Sequence, residues 1–301
     1  MLNLPPAFIK NIHAAFEDAG REWLERLPAE LRWCAERWDL RLEAPFGLSF
    51  NYVTAARRAD GSAVVLKLGV PGREWHTEAA ALRLYGGVGA ARLLDADAEH
   101  GALLLERLIP GTMLAELGDD ERMTEIAAGV MGRIWQPPPS QHQFPAVADW
   151  AAGLDAVRQH FAEGALPIEP RLLDMAQAYF AELLHSQPSE VVLHGDLHHF
   201  NILQADQGWK LIDPKGLIGE PAYELGAFLL NPNTTIMHHS DLKAVLIRRI
   251  DQLCERLDLQ RQRVVRYAVA HAVLSGWWDM DAQGRGGELA LTIANILAEE
   301  A

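Results

Sequence analysis

The sequence predicts an α+β protein with two lobes, an N-terminal lobe built on an antiparallel sheet with helices and a mostly helical C-terminal lobe. Up to residue 108, short apolar runs rich in β-branched residues alternate with turn-forming residues, which is typical of strands. After that point, apolar residues recur at helical spacing over longer segments. A chain of 301 residues is long enough for two lobes with a proper core. We therefore predict lobes at residues 1–108 and 109–301.

The N-terminal lobe is predicted to begin with helical sequence over residues 5–38, where bulky apolar residues recur at spacings suited to burial. This stretch is long enough for two helices ahead of the first strand. A further helix is predicted over residues 73–85. The predicted strands are residues 41–45, 51–56, 63–68, 91–95 and 102–107.

The C-terminal lobe is predicted to be helical on both sides of a proline run at residues 137–139, which no helix interior tolerates. One hairpin interrupts the helices, with strand-like residues 201–204 and 209–212 and a Gln-Gly tip between them. The predicted helices are residues 120–135, 147–163, 170–187, 222–230, 240–257, 260–278 and 286–300.

The segment His-Gly-Asp-Leu-His-His-Phe-Asn-Ile-Leu at residues 194–203 carries the strongest chemical pattern. Asp196 is followed five residues later by Asn201, and Asp213 closes a nearby apolar strand. Phosphoryl transfer needs hard oxygen ligands on Mg²⁺ and one carboxylate beside the acceptor hydroxyl. The pattern therefore predicts a kinase centre. Asp196 is expected to receive the proton of the acceptor hydroxyl, while Asn201 and Asp213, brought together by the hairpin, hold Mg²⁺.

Two other interpretations of this segment remain open at this point. The first is a metal site of a hydrolase, since nitrogen and oxygen ligands occur at close spacing. The second is a loop with a structural role alone. A zinc site would require neither the downstream Asn201 nor the apolar strand that ends in Asp213. The residues that would supply the metal ligands are His194, Asp196, His198 and His199.

Lys67 lies inside a β-branched apolar run, and a charged residue in such a strand needs a partner. A kinase supplies phosphate oxygens and a carboxylate from a helix. Glu78 shares a helix face with Leu82 and Tyr85, so it is the expected partner. Glu74 lies on that face too and is its rival. The plain alternative is that Lys67 is a solvated residue at a strand end.

Three segments together resemble a known family. They are residues 194–203, the Leu-Ile-Asp-Pro-Lys-Gly run at 211–216 and the Gly-Glu-Pro-Ala-Tyr-Glu-Leu run at 219–225. This combination is similar to the aminoglycoside phosphotransferases and, within them, to the aminoglycoside/hydroxyurea antibiotic resistance kinases. The resemblance extends over roughly residues 20 to 295. Further segments in the order of that family are residues 60–67, 89–94 and 103–111.

The resemblance implies a protein-kinase-like fold and an ATP-dependent transfer of the γ-phosphate to a hydroxyl of a small molecule. ATP and Mg²⁺ are the implied cofactors. The leading implied acceptor is streptomycin or a related aminoglycoside, and hydroxyurea or an unrelated metabolite comes next. The nucleotide-binding part would be the N-terminal lobe, and the catalytic loop and acceptor site would lie in the C-terminal lobe.

A hinge is implied over residues 106–111. If the chain resembles kinases here, Leu105 gates the adenine pocket, while the Glu106 carbonyl and the Leu108 amide pair with the adenine edge. The alternative class is a nucleotide-binding pseudokinase that acts through partners. A pseudokinase commonly lacks at least one of the catalytic residues of a kinase. This chain has all four, namely Lys67, Asp196, Asn201 and Asp213.

The departures from protein kinases are equally informative. No Gly-x-Gly-x-x-Gly loop precedes Lys67, and residues 45–51 contain one glycine, so Ser49, Asn51 and backbone amides would face the phosphates instead. Ten residues separate Asp213 from Glu224, which leaves no room for a segment that docks a peptide. The expected acceptor is therefore a small molecule.

The acceptor site is where the sequence is least specific. Trp278 and Asp279 end a predicted helix, and an exposed aromatic beside carboxylates would suit a polyol or a guanidinium-bearing sugar, although such a tryptophan also fits a core position. Glu224 is expected to fix the catalytic loop or to border this site. His198 lies between Asp196 and Asn201 and would touch either the γ-phosphate or the acceptor.

Composition narrows the class of partner. The formal net charge of −14 argues against nucleic acid, because no basic stripe offsets it. It would favour a cationic acceptor, but acidic surfaces also serve solubility alone. The two cysteines form no disulfide framework, and no apolar stretch is long enough to span a bilayer. We expect no membrane partner and a cytoplasmic location, consistent with the need for ATP.

Overall fold

The computed structural model describes residues 2–163, 168–283 and 286–301. The chain divides into two units, Met1–Gly111 and Thr112–Ala301. The first unit begins with the long helix α1, Pro6–Arg37, which is broken at Glu17, where the backbone leaves helical geometry with φ 47° and ψ −123°. The expectation of two helices ahead of the first strand is therefore confirmed.

Five antiparallel strands form the sheet of the first unit in the order β1-β2-β3-β5-β4. The predicted strand at 91–95 is displaced by two residues, because Ala90 and Ala91 are buried in the segment that leads into β4. The strands are β1 Leu40–Pro45, β2 Tyr52–Arg58, β3 Ala63–Leu68, β4 Leu93–Asp97 and β5 Ala102–Glu106.

The apolar side of α1 packs on one face of this sheet. Burial of these aliphatic and aromatic side chains stabilises the unit by about 1.5–3 kcal/mol for each large residue. A hydrogen bond also joins the end of α1 to the sheet. The indole Nε1 of Trp38, just after the helix, donates to Asp95 Oδ2 on β4 at 2.8 Å. The buried members of this core include Phe8, Ile12, Trp23, Leu27, Leu31, Tyr52, Leu66, Leu68 and Leu104.

A single helix, α2, connects β3 to β4 and has the bounds that the sequence predicted, Arg73–Tyr85. It ends at Gly86, whose left-handed backbone (φ 59°) lets its amide donate to the Leu82 carbonyl. Glycine adopts this conformation without steric cost, so the glycine at position 86 by itself indicates where the helix ends.

The second unit is mostly helical. Its helix α10 is buried on nearly all sides and contacts α5, α6, α7, α9 and α11. The helices are α3 Asp120–Ile134, α4 Val147–Ala151, α5 Gly153–Glu163, α6 Pro170–His185, α7 Leu225–Leu229, α8 Asn233–Ile236, α9 Leu242–Leu257, α10 Arg261–Gln283 and α11 Glu288–Ala298. No helix among the described residues combines the length and the apolar character needed to cross a bilayer.

Three helix predictions differ from the structure. The helix predicted over 147–163 is two helices, because the chain turns at Ala152, whose amide donates to the Ala148 and Trp150 carbonyls. The start of the helix predicted over 222–230 is a 3₁₀ turn, Pro221–Glu224. The helix predicted to end at 278 continues to Gln283.

Two small sheets complete the second unit. The predicted hairpin is present as β7 Ile202–Ala205 and β8 Gly208–Leu211, with Gly208 in the left-handed conformation that a tight turn requires. The other sheet was not predicted. It pairs β6 Val191–Leu193 with β9 Leu217–Gly219, and strands of three residues are too short to show a period in the sequence.

A buried arginine joins helices α3 and α9 of this unit. Arg249 on α9 is 2% exposed and pairs with Asp120 at the first turn of α3. Its guanidinium also donates to the Asn231 carbonyl at 2.6 Å and lies over the Phe228 ring at 5.4 Å. Burying a charge is costly unless it is paired and hydrogen bonded, so these contacts depend on one another.

Asp120→Asn should therefore destabilise the second unit strongly, because it leaves the Arg249 guanidinium buried without its counter-charge. Removal of one partner of a buried pair costs about 3 kcal/mol or more. In a unit of this size that lowers the midpoint of thermal unfolding by roughly 6–12 °C. Circular dichroism melting measures the shift. The neighbouring Glu121→Gln is the control, since its carboxylate is exposed and should change the midpoint by less than about 2 °C. Equal midpoints for both variants would contradict the assignment.

Candidate active site

Lys67 is buried in the middle of the first unit's sheet. It lies on β3, which pairs with β2 on one side and β5 on the other, and the residue is 4% exposed. Its Nζ donates to Glu78 Oε1 at 2.6 Å and Oε2 at 2.7 Å. The interpretation of Lys67 as a solvated edge residue is therefore wrong, and the paired carboxylate belongs to Glu78 on α2.

The other residues of the first unit that the sequence predicts to contact the nucleotide lie in loops or at a strand end. Ser49 is exposed in a bend after β1, and its carbonyl accepts from Asn11 Nδ2 at 3.3 Å. Glu106 ends β5, where its amide donates to the Arg92 carbonyl and its Oε1 accepts from the Arg92 amide, both at 3.0 Å. Leu108 follows in non-repetitive backbone and is partly exposed. Contacts of Ser49, Glu106 and Leu108 with a nucleotide stay predictions.

In the second unit, the loop after β6 is held by one buried carboxylate. Glu224 Oε2 accepts from the His194 amide at 2.6 Å, and Glu224 Oε1 accepts from the Gly195 amide at 2.8 Å. Gly195 has φ 84°, and an added Cβ there would lie 3.2–3.3 Å from Trp150, Leu217 and Lys215. A glycine is therefore required on both conformational and steric grounds. Glu224 has the geometry of a loop-fixing residue, and a contact between Glu224 and an acceptor stays a prediction.

His194 connects this loop to the segment that carries Asp213. Its Nε2 lies 2.8 Å from the Ile212 carbonyl, and its Nδ1 accepts from the Asp196 amide at 3.2 Å. Burial lowers the pKa of His194 to about 4, so the ring is neutral at pH 7, with its proton on Nε2. Both ring nitrogens are thus used within the protein.

The hairpin brings the backbone of Asn201 beside the segment that carries Asp213, and a shared metal ion stays a prediction. The Ile212 amide donates to the Asn201 carbonyl at 3.0 Å, which ties the residue before Asp213 to Asn201. Asn201 Nδ2 donates to the Asp196 carbonyl at 3.0 Å. Asp213 adopts a left-handed conformation with φ 58°, which costs free energy in a residue other than glycine and is found preferentially at functional sites.

Asp196 presents its carboxylate at the surface of this loop. Its side chain is 42% exposed, while its amide and carbonyl are both hydrogen bonded within the loop. His198 Nε2 lies 3.7 Å from Asp196 Oδ1, which is too long for a hydrogen bond. The same nitrogen lies 3.4 Å from Asn201 Nδ2. The backbone is thus fixed while the carboxylate stays accessible to another molecule.

The metal-site interpretation of the four His and Asp residues is not supported. His194 directs its nitrogens to backbone groups, and His199 is fully buried, with its ring stacked on Phe228 at 4.1 Å. Burial lowers the pKa of His199 well below its usual value. Within the part of the chain that the structure describes, no three His, Cys, Asp or Glu side chains converge as metal ligands.

Aromatic side chains adjoin the catalytic loop. We call Trp150, Tyr223, His271 and Trp278 the aromatic wall. Trp150 stands edge-on to Trp278 with ring centroids 5.3 Å apart, and to Tyr223 at 6.3 Å. Trp278 is 36% exposed, and Asp279 beside it is exposed as well. Trp278 is therefore not a core residue. No local pattern pointed to Trp150 or His271, because their places in this wall arise from the packing of α4 against the loop and of α10 against α7.

The fold and the site define a kinase, and the comparisons agree. A thermostable mutant of an aminoglycoside phosphotransferase, solved in ternary complex with ADP and hygromycin B, superposes with a TM-score of 0.61 at 13% identity, over 90% of this chain and 98% of that one. The fold is thus that of the protein-kinase-like small-molecule kinases. Residues 40–283 match the family described as aminoglycoside/hydroxyurea antibiotic resistance kinase, and the chain belongs to that family.

Two relatives cover nearly the whole sequence. Streptomycin 6-kinase of Streptomyces glaucescens is 32% identical over 99% of this chain and 97% of its own length. Hydroxyurea phosphotransferase of Kitasatospora aureofaciens is 33% identical over 94% of this chain and 80% of its own length. The predicted family and enzyme class are confirmed, and this protein is a small-molecule kinase.

The Glu224 carboxylate should make stability depend on pH. Burial raises its pKa from 4.5 to about 7, against the lowering effect of the amides of Gly195 and His194. The folded protein therefore favours protonated Glu224. This contribution to stability is fully present below pH 4.5 and is lost as the pH rises towards 7, and the loss amounts to about 3 kcal/mol.

Relative to Glu224→Gln, which cannot ionise, the wild type should lose stability between pH 4.5 and 7. The difference between their unfolding midpoints should shift by roughly 6–12 °C across that window. Buried histidines titrate in both proteins, so the comparison cancels them. Melting curves at several pH values measure the difference, and Glu190→Gln, at an exposed carboxylate before β6, should follow the wild type. A difference that stays constant with pH would show that Glu224 does not titrate there.

Proposed function

We propose that the protein is an ATP-dependent O-phosphotransferase that transfers the γ-phosphate in line to a hydroxyl of streptomycin or a related aminoglycoside. The observation that carries this proposal is the loop held by Glu224. The His194 and Gly195 amides donate to Glu224, and the Asn201 side chain donates to the backbone carbonyl of Asp196. The Asp196 carboxylate meanwhile stays accessible. Preorganisation of this kind is what transfer between two bound substrates requires.

Asp196 is the proposed catalytic residue. Its carboxylate accepts a hydrogen bond from the acceptor hydroxyl, orients the oxygen for attack on phosphorus and takes up the proton as the new bond forms. An accessible carboxylate on a fixed backbone suits this role, because no described residue forms a strong contact with the side chain that an acceptor would have to displace. His198 stands 3.7 Å away and would contact the γ-phosphate or the acceptor.

The oxygen donors Asn201 and Asp213 fit a magnesium ion. Asn201 Nδ2 is used in the bond to the Asp196 carbonyl, so Oδ1 is the atom of this side chain that would coordinate a metal. Carboxylate and amide oxygens are hard ligands of the kind that Mg²⁺ prefers. When bound, Mg²⁺ would neutralise charge on the phosphates, and Asn201 and Asp213 would hold it.

Lys67 is proposed to bind nucleotide phosphates, with Glu78 orienting its ammonium group. The bidentate contact with Glu78 holds the ammonium group of the buried Lys67 in one direction, as binding of a phosphate requires. Ser49 with nearby backbone amides would contact the phosphates. The Glu106 carbonyl and Leu108 amide would bind the adenine edge. A need for ATP places the reaction in the cytoplasm.

The choice of acceptor rests on the relatives and on the aromatic wall. A relative that covers almost the whole chain is a streptomycin 6-kinase. Streptomycin offers guanidinium groups that stack on an indole and pair with carboxylates, which suits the exposed Trp278 and Asp279. Hydroxyurea offers neither contact, but a related hydroxyurea phosphotransferase makes it the second candidate.

Purified protein incubated with Mg·ATP and streptomycin should give ADP and a product heavier by one phosphate, as measured by mass spectrometry. Hydroxyurea and a panel of other small alcohols are run in parallel under the same conditions. A phosphorylated product from hydroxyurea or another alcohol, with none from streptomycin, would remove the proposed acceptor and leave the kinase assignment in place. ATP consumption with no acceptor of the panel, or no nucleotide binding at all, would favour the pseudokinase alternative.

The two aspartates should respond differently to substitution. Asp196→Asn should lower kcat by roughly two to four orders of magnitude with little change in affinity for ATP, because its role is in acid-base chemistry. Asp213→Asn removes a ligand of Mg²⁺ and should weaken Mg²⁺-dependent nucleotide binding as well as turnover. Calorimetry with a non-hydrolysable ATP analogue, with and without Mg²⁺, separates the two. Near wild-type turnover in both variants would refute the assigned centre.

A further inference from the structure

His271 is a buried residue of α10 whose ring is fixed on two sides. Its Nδ1 lies 3.1 Å from the Tyr223 hydroxyl. The edge formed by Cγ and Cδ2 packs against the backbone of Gly226, where an added Cβ would come within 2.5–2.7 Å of the ring. Two edges of the ring are therefore in contact with other residues. No hydrogen-bond partner of Nε2 is found among the described residues.

The contact with Tyr223 fixes the tautomer of this histidine. Tyr223 is 1% exposed, and burial raises the pKa of its phenol well above 10, so the hydroxyl keeps its proton. In the described part of the chain, His271 Nδ1 is the one acceptor within reach of that hydroxyl. A buried hydroxyl without an acceptor is costly, so Tyr223 donates and Nδ1 accepts. In the neutral ring the proton is then on Nε2.

The ring is neutral at physiological pH. Burial lowers the pKa of His271 to about 4, and the Asp196 carboxylate only partly opposes this effect. His271 is therefore a neutral donor close to the catalytic loop, and it would not repel a cationic acceptor.

A series of side-chain contacts connects His271 with the loop that carries Asp196. Trp278 lies seven residues further on α10, on the same helix face, with its ring edge-on to His271 at 6.2 Å. Trp278 meets Trp150, and Trp150 lies against Gly195, the residue before Asp196. The aromatic wall thus runs from the catalytic loop to an exposed indole.

We propose that His271 is an acceptor-positioning residue, whose Nε2–H donates to an oxygen of the acceptor while Trp150 and Trp278 bind the face of its ring. The acceptor class is a ring that carries several hydroxyl or ether oxygens, such as a cyclitol or a sugar. This inference rests on the proposed function, because it specifies how the same acceptor site selects its molecule. A neutral donor between aromatic faces suits an uncharged oxygen better than a carboxylate or a phosphate.

Two substitutions of His271 separate this role from packing. With its amide oxygen Oδ1 in the place of Nδ1, the Asn side chain still accepts from the Tyr223 hydroxyl, so His271→Asn keeps a partner for Tyr223 and loses the distal donor. The amide nitrogen of Gln takes the place of Nε2, so His271→Gln keeps the distal donor. With streptomycin as the probe, Asn should raise the acceptor KM by about tenfold, whereas Gln should stay within about threefold of the wild type. The KM for ATP should stay within about twofold in both.

The controls are His185→Asn and His185→Gln, at an exposed position on α6, and both should match the wild type. An acceptor KM that is impaired equally by Asn and Gln at position 271, or impaired more by Gln, would overturn the proposal. Unfolding midpoints of all four variants are measured alongside, so that a loss of folded protein is recognised.

A measurement without any acceptor tests the tautomer directly. In ¹⁵N-histidine-labelled wild-type protein, the signal of His271 is identified by its absence in His271→Gln. Its nitrogen shifts at pH 7 should show a proton on Nε2, and Tyr223→Phe should allow both tautomers. A proton on Nδ1 in the wild type would overturn the positioning role whether or not streptomycin is phosphorylated. Failure to phosphorylate streptomycin, with the proton on Nε2, would refute only the proposed acceptor.

Discussion

The interaction on which the candidate site of the second unit depends is the pair of hydrogen bonds that the buried Glu224 carboxylate accepts from the amides of His194 and Gly195. A loop that exposes a catalytic side chain has backbone groups that no regular element satisfies, and each such group needs a partner. Glu224 supplies two acceptors at the point where the chain leaves β6. His194 then carries the constraint onward to the Ile212 carbonyl and thus to Asp213.

Buried charges recur wherever this protein needs one fixed geometry. Lys67 is held by Glu78 inside the first sheet, Arg249 is held by Asp120 at the start of α3, and Arg263 is held by the buried Glu220 just before the 3₁₀ turn. Such pairs add little net stability, because desolvation opposes the attraction. What these pairs provide is a fixed geometry, because a buried ion pair tolerates few other arrangements of its two side chains.

Local features of the chain were predictable because local physics decides them. Helix α2 has an apolar face and a glycine at its end, and the β7–β8 hairpin has a Gln-Gly tip, so the bounds of α2 and the pairing of Asn201 near Asp213 could be predicted. A carboxylate partner for Lys67 followed from a charge in a strand, and helix periodicity narrowed that partner to Glu78 or Glu74. Strands β6 and β9 and the turn at Ala152 were not predictable, because three residues show no period and only packing divides α4 from α5.

The sequence by itself determined the class of chemistry, since the types and spacing of Asp196, Asn201 and Asp213 are what phosphoryl transfer requires. It left open which glutamate pairs with Lys67 and whether Trp278 is core or surface. Tertiary structure decided both, and it alone brought Trp150 and His271 from distant helices into one wall. Contacts between residues far apart in the chain depend on how whole helices pack, and no local pattern encodes that packing.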